Sequence, residues 1–226
     1  QMCIRDRLDT VPKIFWNAVN TRKNKTAMRE KDLGIWQSIS WREYGDKAKY
    51  VGLALNSLGL NKNDVVSIAS EGIPEWLFTD LGVICVGGIS SGVYTTDSSS
   101  QVEYLVNDSK TNFYFAENEE QLDKILEVRE NCPSLKKIII YDLEGLHDFS
   151  DPQVISFSEL IKLGESIDKN NPDLFESLMA KVSPEDIAIL VYTSGTTGPS
   201  KGAMISNKNI VYQINTGINI FKPQEN

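Results

Sequence analysis

The sequence predicts an α/β fold in three layers, a mostly parallel sheet flanked by helices. Three observations carry this. Short apolar runs at 65–69, 89–94, 112–116 and 137–141 alternate with helical segments; strand–helix units of that length pair in parallel, through right-handed crossovers, with helices on both faces. A further apolar run, Ile187-Ala188-Ile189-Leu190-Val191-Tyr192, meets a Gly/Ser/Thr-rich break and then a stretch that alternates like a strand. That reads as a strand–loop–strand hairpin at the end of the sheet. Finally, 226 residues with 41% hydrophobic and 24% charged side chains match an ordinary globular chain of one large domain or two small ones.

Taken in order, residues 1–9 show no periodicity and read as an unrelated extension. Thr10 is placed to cap a helix, with Pro12 close behind and Ile14, Phe15 and Ala18 on one side. Segments 26–29 and 34–40 read as a small hairpin turning across 30–33. Ser40 caps the next helix, where Tyr44, Ala48, Val51, Leu55 and Leu58 form an amphipathic stripe. Gly59 ends it and Leu60 supplies the apolar contact usual after a glycine cap. The strand at 65–69 precedes a helix at 74–86 that is apolar over most of its circumference and so must be buried on more than one side. Strand 89–94, helix 99–107, strand 112–116, helix 120–131 (Leu122, Ile125 and Leu126 inward) and strand 137–141 follow. Between 142 and 184 the rhythm breaks: an acidic surface loop at 142–151, then helices at 158–163 and 172–181.

The chemistry concentrates in Thr193-Ser194-Gly195-Thr196-Thr197-Gly198-Pro199-Ser200-Lys201-Gly202. Four hydroxyls and two glycines in six residues let backbone approach a ligand closely and surround it with donors. Lys201 adds a positive charge, which makes the segment a phosphate cradle. Ser/Gly/Thr stretches are more often flexible linkers, yet a linker needs neither two framing strands nor a lysine at its mouth. A Walker-type loop is excluded: it requires Gly-Lys followed by Ser or Thr at the start of a helix, whereas Ser200 precedes Lys201 and Gly202 follows it.

The segment from Tyr192 to Gly202 closely resembles the signature loop of the AMP-forming adenylating enzymes, which include the acyl-CoA synthetases. The resemblance implies that Thr193, Ser194, Gly195, Thr196, Thr197, Gly198 and Lys201 hold the β- and γ-phosphates of ATP while a carboxylate attacks the α-phosphorus, Lys201 stabilising phosphate charge. Two positions depart from the pattern. Ser200 replaces the usual proline, and Ser206-Asn207 replaces a Thr-His pair, which would alter how the loop is braced. The likeness runs from about residue 10 to 226. Asn61-Lys62-Asn63-Asp64-Val65-Val66, Pro74-Glu75-Trp76 and Gly92-Val93-Tyr94-Thr95-Thr96-Asp97-Ser98 look like the fatty acyl-CoA synthetases, above all those of bubblegum and bacterial long-chain type.

That resemblance implies a long-chain fatty acid–CoA ligase using ATP, Mg2+ and coenzyme A, in the cytoplasm, with room for peripheral membrane association. The family's adenosine- and Mg2+-binding motifs and its mobile C-terminal domain have no counterpart here. The chain is therefore expected to be the N-terminal part of the large domain, truncated after the phosphate loop, with no complete catalytic site, no metal ligands and no activity alone. It should expose apolar surface where the remainder docks. Alternatives stay open: a noncatalytic truncated relative, or an adenylating enzyme for another carboxylic acid.

The remaining features are less specific. A net charge of −8 argues against a nucleic-acid surface. Cys3, Cys85 and Cys132 have no metal-ligand spacing and read as thiols in a reducing compartment. No run is long enough for a transmembrane segment, and no signal peptide is visible. His147, the single histidine, reads as a solvated loop residue, Glu117-Asn118-Glu119-Glu120 as acids at a helix start, and Trp16, Trp36, Trp41 and Trp76 as core or half-buried aromatics.

Overall fold

The structure, a computed structural model, describes residues 8–193 and 199–221. Helix α1 (Val11–Arg22) leads to a separate hairpin, β1 (Thr26–Asp32) and β2 (Ile35–Ser40), and then to α2 (Trp41–Ser57). Alternation follows: β3 (Val65–Ala69), α3 (Pro74–Cys85), β4 (Ile89–Val93), α4 (Ser99–Ser109), β5 (Thr111–Ala116), α5 (Glu119–Val128) and β6 (Lys137–Ile140). The chain continues through β7 (Val154–Ser156), α6 (Phe157–Asn170), α7 (Leu174–Met179), β8 (Ile187–Thr193), β9 (Lys201–Ser206) and α8 (Asn207–Phe221).

Helix starts are written in the local sequence. Ser40, Ser98 and Ser156 each form a reciprocal capping box with Glu43, Gln101 and Glu159, satisfying backbone N–H groups that a helix leaves free. The hydrogen bonds of Ser40 and Ser156 hold the Glu43 and Glu159 carboxyls below the usual range. Thr10 and Asn118 cap α1 and α5 in the simpler way.

The main sheet has seven strands in the order β7-β6-β5-β3-β4-β8-β9, every neighbouring pair parallel except β8–β9. Both faces are covered, as an internal parallel sheet requires. Phe113, Phe115 and Ile139 point into a core shared with α1, α2, α3, α6 and α7. The intervening Tyr114, Ala116, Ile138 and Ile140 point to the other side, against α4 and α5. In the first layer α2 lies against both α3 and α6, at distances only glycine allows. A Cβ on Gly52 would stand 2.7 Å from the Gly82 carbonyl, and one on Gly164 only 2.0 Å from that of Tyr50.

Several details differ from the sequence reading. Helix α8 was not foreseen, and the helix read as 120–131 ends at Val128, with 129–131 a 3-10 turn. β7 was not foreseen; its three residues are too few for a pattern and exist as a strand because β6 offers them an open edge. The β1–β2 turn is only Leu33-Gly34, both at positive φ, rather than 30–33. α6 is longer than 158–163 and α7 shorter than 172–181. Trp36 is 63% exposed, not half-buried, because the hairpin stands outside the sheet. Large apolar side chains do stand exposed along β9 and α8, among them Met204, Tyr212, Ile218 and Ile220.

Candidate functional site

After β3 the chain turns to α3, on the α2 face; after β4 and β5 it turns to α4 and α5, on the opposite face. Where successive connections leave a parallel sheet in opposite directions, crevices open beyond the carboxyl ends of the strands. Two cavities lie there. One, of about 290 Å³, has Trp76, Ser90, Gly92, Tyr94, Ile189 and Val191 in its wall. The other, of about 440 Å³, is polar, with Glu71, Thr95, Glu117, Gln121 and Lys124. The loop between β8 and β9 leaves the sheet at this same edge, since β8 runs parallel to β4.

Thr193 and Lys201 are brought together as the last cross-strand pair of the β8–β9 hairpin, and both are exposed. Among the described residues no carboxylate pairs with Lys201. Its charge is thus available to an anion at the mouth of the loop. Ser194, Gly195, Thr196, Thr197 and Gly198 lie outside the described residues.

The stems of the loop are tied to α4. Tyr104 donates its hydroxyl proton to the Ser200 carbonyl at 2.9 Å, and Tyr192 donates to Asp108 Oδ2 at 2.8 Å. Burial, reinforced by the Asp108 carboxylate, pushes the Tyr192 phenol well up. Tyr192 faces Gly202 across the hairpin, and a Cβ on that glycine would lie 3.2 Å from the ring. Sequence reasoning passed over Tyr104 and Asp108. The available signal was two hydrogen-bonding side chains four residues apart on one helix face.

Asn207, at the position of the resemblance's histidine, does not brace the loop. It sits beyond the far end of β9, where Ser206 pairs with Ile187. Its buried side chain accepts from the Val11 N–H at 3.0 Å and donates to the Asp186 carbonyl at 3.1 Å. The first helix, the entry to β8 and the start of α8 are joined there. A second inward-facing polar group lies on a helix beside the sheet. Asp80 on α3 has Ser90 as hydrogen-bond partner, while its Oδ1 is sealed from solvent with none among the described residues. Burial pushes this carboxyl up to about 6.

The other candidates resolve simply. His147 is exposed beside a cavity of about 570 Å³ at the β7 edge of the sheet, opposite the hairpin edge. Glu119 and Glu120 occupy the first turn of α5, and Glu117 accepts from Ser70 and the Glu71 N–H. Among the described residues no three His, Cys, Asp or Glu side chains cluster as metal ligands, and no helix is long and apolar enough to cross a membrane.

Comparison with known proteins places this geometry. Over 208 residues the chain is 32% identical to the long-chain-fatty-acid–CoA ligase ACSBG1 of Rattus norvegicus, covering 92% of this chain and 28% of the relative. It is 32% identical over 203 residues to ACSBG2 of Xenopus laevis, covering 90% and 27%. The chain thus spans under a third of the length of these relatives. Among solved structures it resembles the anthranilate CoA ligase AuaEII in complex with anthranoyl-AMP, with TM-score 0.78 and 26% identity over 93% of this chain and 37% of that one. VinN bound to 3-methylaspartate shares the fold, with TM-score 0.70 and 18% identity over 95% and 52%. The model of the AMP-binding enzyme family matches residues 15–225, and the chain belongs to that family.

Proposed function

We propose that this chain is part of an ATP-dependent ligase that activates a long-chain fatty acid as its acyl-adenylate and passes the acyl group to coenzyme A. The observation that carries the reading is the β8–β9 hairpin, which sets Lys201 opposite Thr193 at the sheet's carboxyl edge. In this reading the hydroxyls of Thr193, Ser194, Thr196 and Thr197 and the backbone at Gly195 and Gly198 hold the β- and γ-phosphates. The fatty acid carboxylate forms a bond to the α-phosphorus as the bond to pyrophosphate breaks, and the Lys201 ammonium offsets charge on the departing group. Mg2+ finds no cluster of ligands among the described residues and would enter on the nucleotide's own phosphates. The apolar side chains exposed on β9 and α8 fit the docking of further protein. Reduced, buried Cys85 and Cys132 suit a cytoplasmic enzyme, which would meet its substrate at the membrane surface.

The test is ATP-dependent pyrophosphate release and acyl-CoA formation by the full-length protein, offered long-chain fatty acids, aromatic acids and amino acids in parallel. Activity confined to the long-chain acids is expected. Turnover with aromatic acids and none with fatty acids would support the second reading, an aryl-CoA ligase, which the likeness to AuaEII favours. No turnover with any acid would overturn both.

A further inference from the structure

Helix α4 reaches both ends of the loop through side-chain hydrogen bonds, and its Val102, Leu105 and Val106 share an apolar cluster with Tyr192 of β8. Tyr104 and Asp108 stand one turn apart, on the same face of the helix. Tyr104 reaches the carbonyl of Ser200, the residue before Lys201. Asp108 reaches the phenol of Tyr192, the residue before Thr193. Between these two points the hairpin is closed by Tyr192 lying across Gly202. The partners are unequal in burial: Tyr192 is 7% exposed and Tyr104 36%. Asp108 and Tyr104 are both exposed on α4; the first tie reaches inward to a buried phenol, and the second holds the partner strand at the surface.

We infer that Tyr104 and Asp108 are positioning residues that hold the two stems of the β8–β9 loop in register, and with them Thr193 and Lys201, for a triphosphate. The inference rests on the reading of that loop as a phosphate cradle. A loop that must present several donors and one cation to an anion works only if its frame does not yield; a misplacement of about 1 Å costs much of the benefit of oriented groups. A hairpin closing over a tight turn would hold itself. In this one seven residues, 194–200, separate the strands, so its stems gain from outside support: β4 pairs with β8, and α4 supplies the side-chain ties.

The experiment compares Tyr104→Phe, Asp108→Ala, Asp108→Asn and Tyr192→Phe in the full-length protein by three measurements. These are amide exchange in the peptides spanning 190–206, the kcat and KM of ATP-dependent pyrophosphate release, and the thermal midpoint. Tyr104→Phe and Asp108→Ala should speed stem exchange and lower kcat about threefold to tenfold, the effect of one lost hydrogen bond, with KM for the acid unchanged. Asp108→Asn keeps an acceptor for the phenol and should stay near wild type. Asp108→Ala combined with Tyr192→Phe should be no worse than either alone, since both remove one bond. Unchanged stem exchange and unchanged kcat with a lowered midpoint would show ordinary fold stabilisation and overturn the inference. So would Asp108→Asn as damaging as Asp108→Ala. Absence of pyrophosphate release from the wild type would refute the phosphate reading instead, while the exchange data would still decide whether α4 holds the stems.

Discussion

The described residues form two antiparallel hairpins, and they are built on opposite terms. In β1–β2 the chain reverses through Leu33-Gly34, both at positive φ, and the pair stands as a sheet of its own. Its tip leaves Leu33, Ile35 and Trp36 at 95%, 65% and 63% exposure. In β8–β9 the reversal takes residues 194–200, and β8 is also bonded to β4 in the main sheet. A two-residue turn stores everything it needs in its own backbone. A longer connection does not, so its stems borrow rigidity from a neighbouring strand on one side and from Tyr104 and Asp108 on α4. Rigidity supplied from outside leaves the loop's own residues free to be chosen for chemistry.

The largest effect that separates the two hairpins is expected at Lys201. Lys201→Ala in the full-length protein should cut pyrophosphate release by about 10²–10³, the loss typical of one preorganised electrostatic group. The thermal midpoint should not move, because an exposed lysine with no ion pair among the described residues contributes little to folding. Lys201→Arg should recover only part of the rate, a planar fork replacing a compact point charge. Near-normal turnover of Lys201→Ala would make the second hairpin as structural as the first.

The second prediction concerns pH, and the strand that supports β8, β4. Asp80 lies on α3 with Ser90 of β4 as its partner, and its carboxyl is raised to about 6. The folded value stands above the unfolded one, so the native state holds the proton more tightly. This contribution is complete below about pH 4 and is lost as pH rises through 6. Asp80→Asn should therefore be more stable than wild type at pH 7.5 by about 1–3 kcal/mol, with the difference shrinking toward pH 4. Urea unfolding at the two pH values checks this, and a pH-independent difference would refute it.

Smaller effects belong to the first hairpin. A Cβ on Gly34 meets nothing within 4 Å, so only its φ of 84° matters; Gly34→Ala should cost about 1 kcal/mol in chemical denaturation. Trp36→Ser should change stability by less than about 0.5 kcal/mol and leave pyrophosphate release untouched. A loss of turnover in either variant would break the division between a self-contained hairpin and a supported one.

Much of this was legible beforehand, for identifiable reasons. Strands β3 to β6 and helices α2 to α5 announced themselves because apolar runs and capping residues such as Ser40, with Glu43 three positions on, are local signals. The family was legible from the loop because the residue types of its signature stand consecutively. β7 was not, since three residues carry no period, and neither was the overrun of α6 past 163. The role of Asn207 was misplaced for a different reason. Counting along the chain put it just after the loop, whereas a strand of six residues carries it to the opposite end of the sheet.

What the sequence determined by itself was therefore everything carried by neighbours along the chain: the alternation, the helix caps, the loop and its lysine, and through them the family. Tertiary structure alone decided the strand order, which places β8 beside β4 rather than beside β7, its predecessor in sequence. It also decided that Tyr104 and Asp108 meet Ser200 and Tyr192 across 96 and 84 residues, and that Asn207 meets Val11 across 196. The physical reason is the same in each case. Propensity and periodicity act within a few residues, whereas a hydrogen bond between distant segments exists only after burial of both faces of the sheet has chosen which helices lie beside which strands.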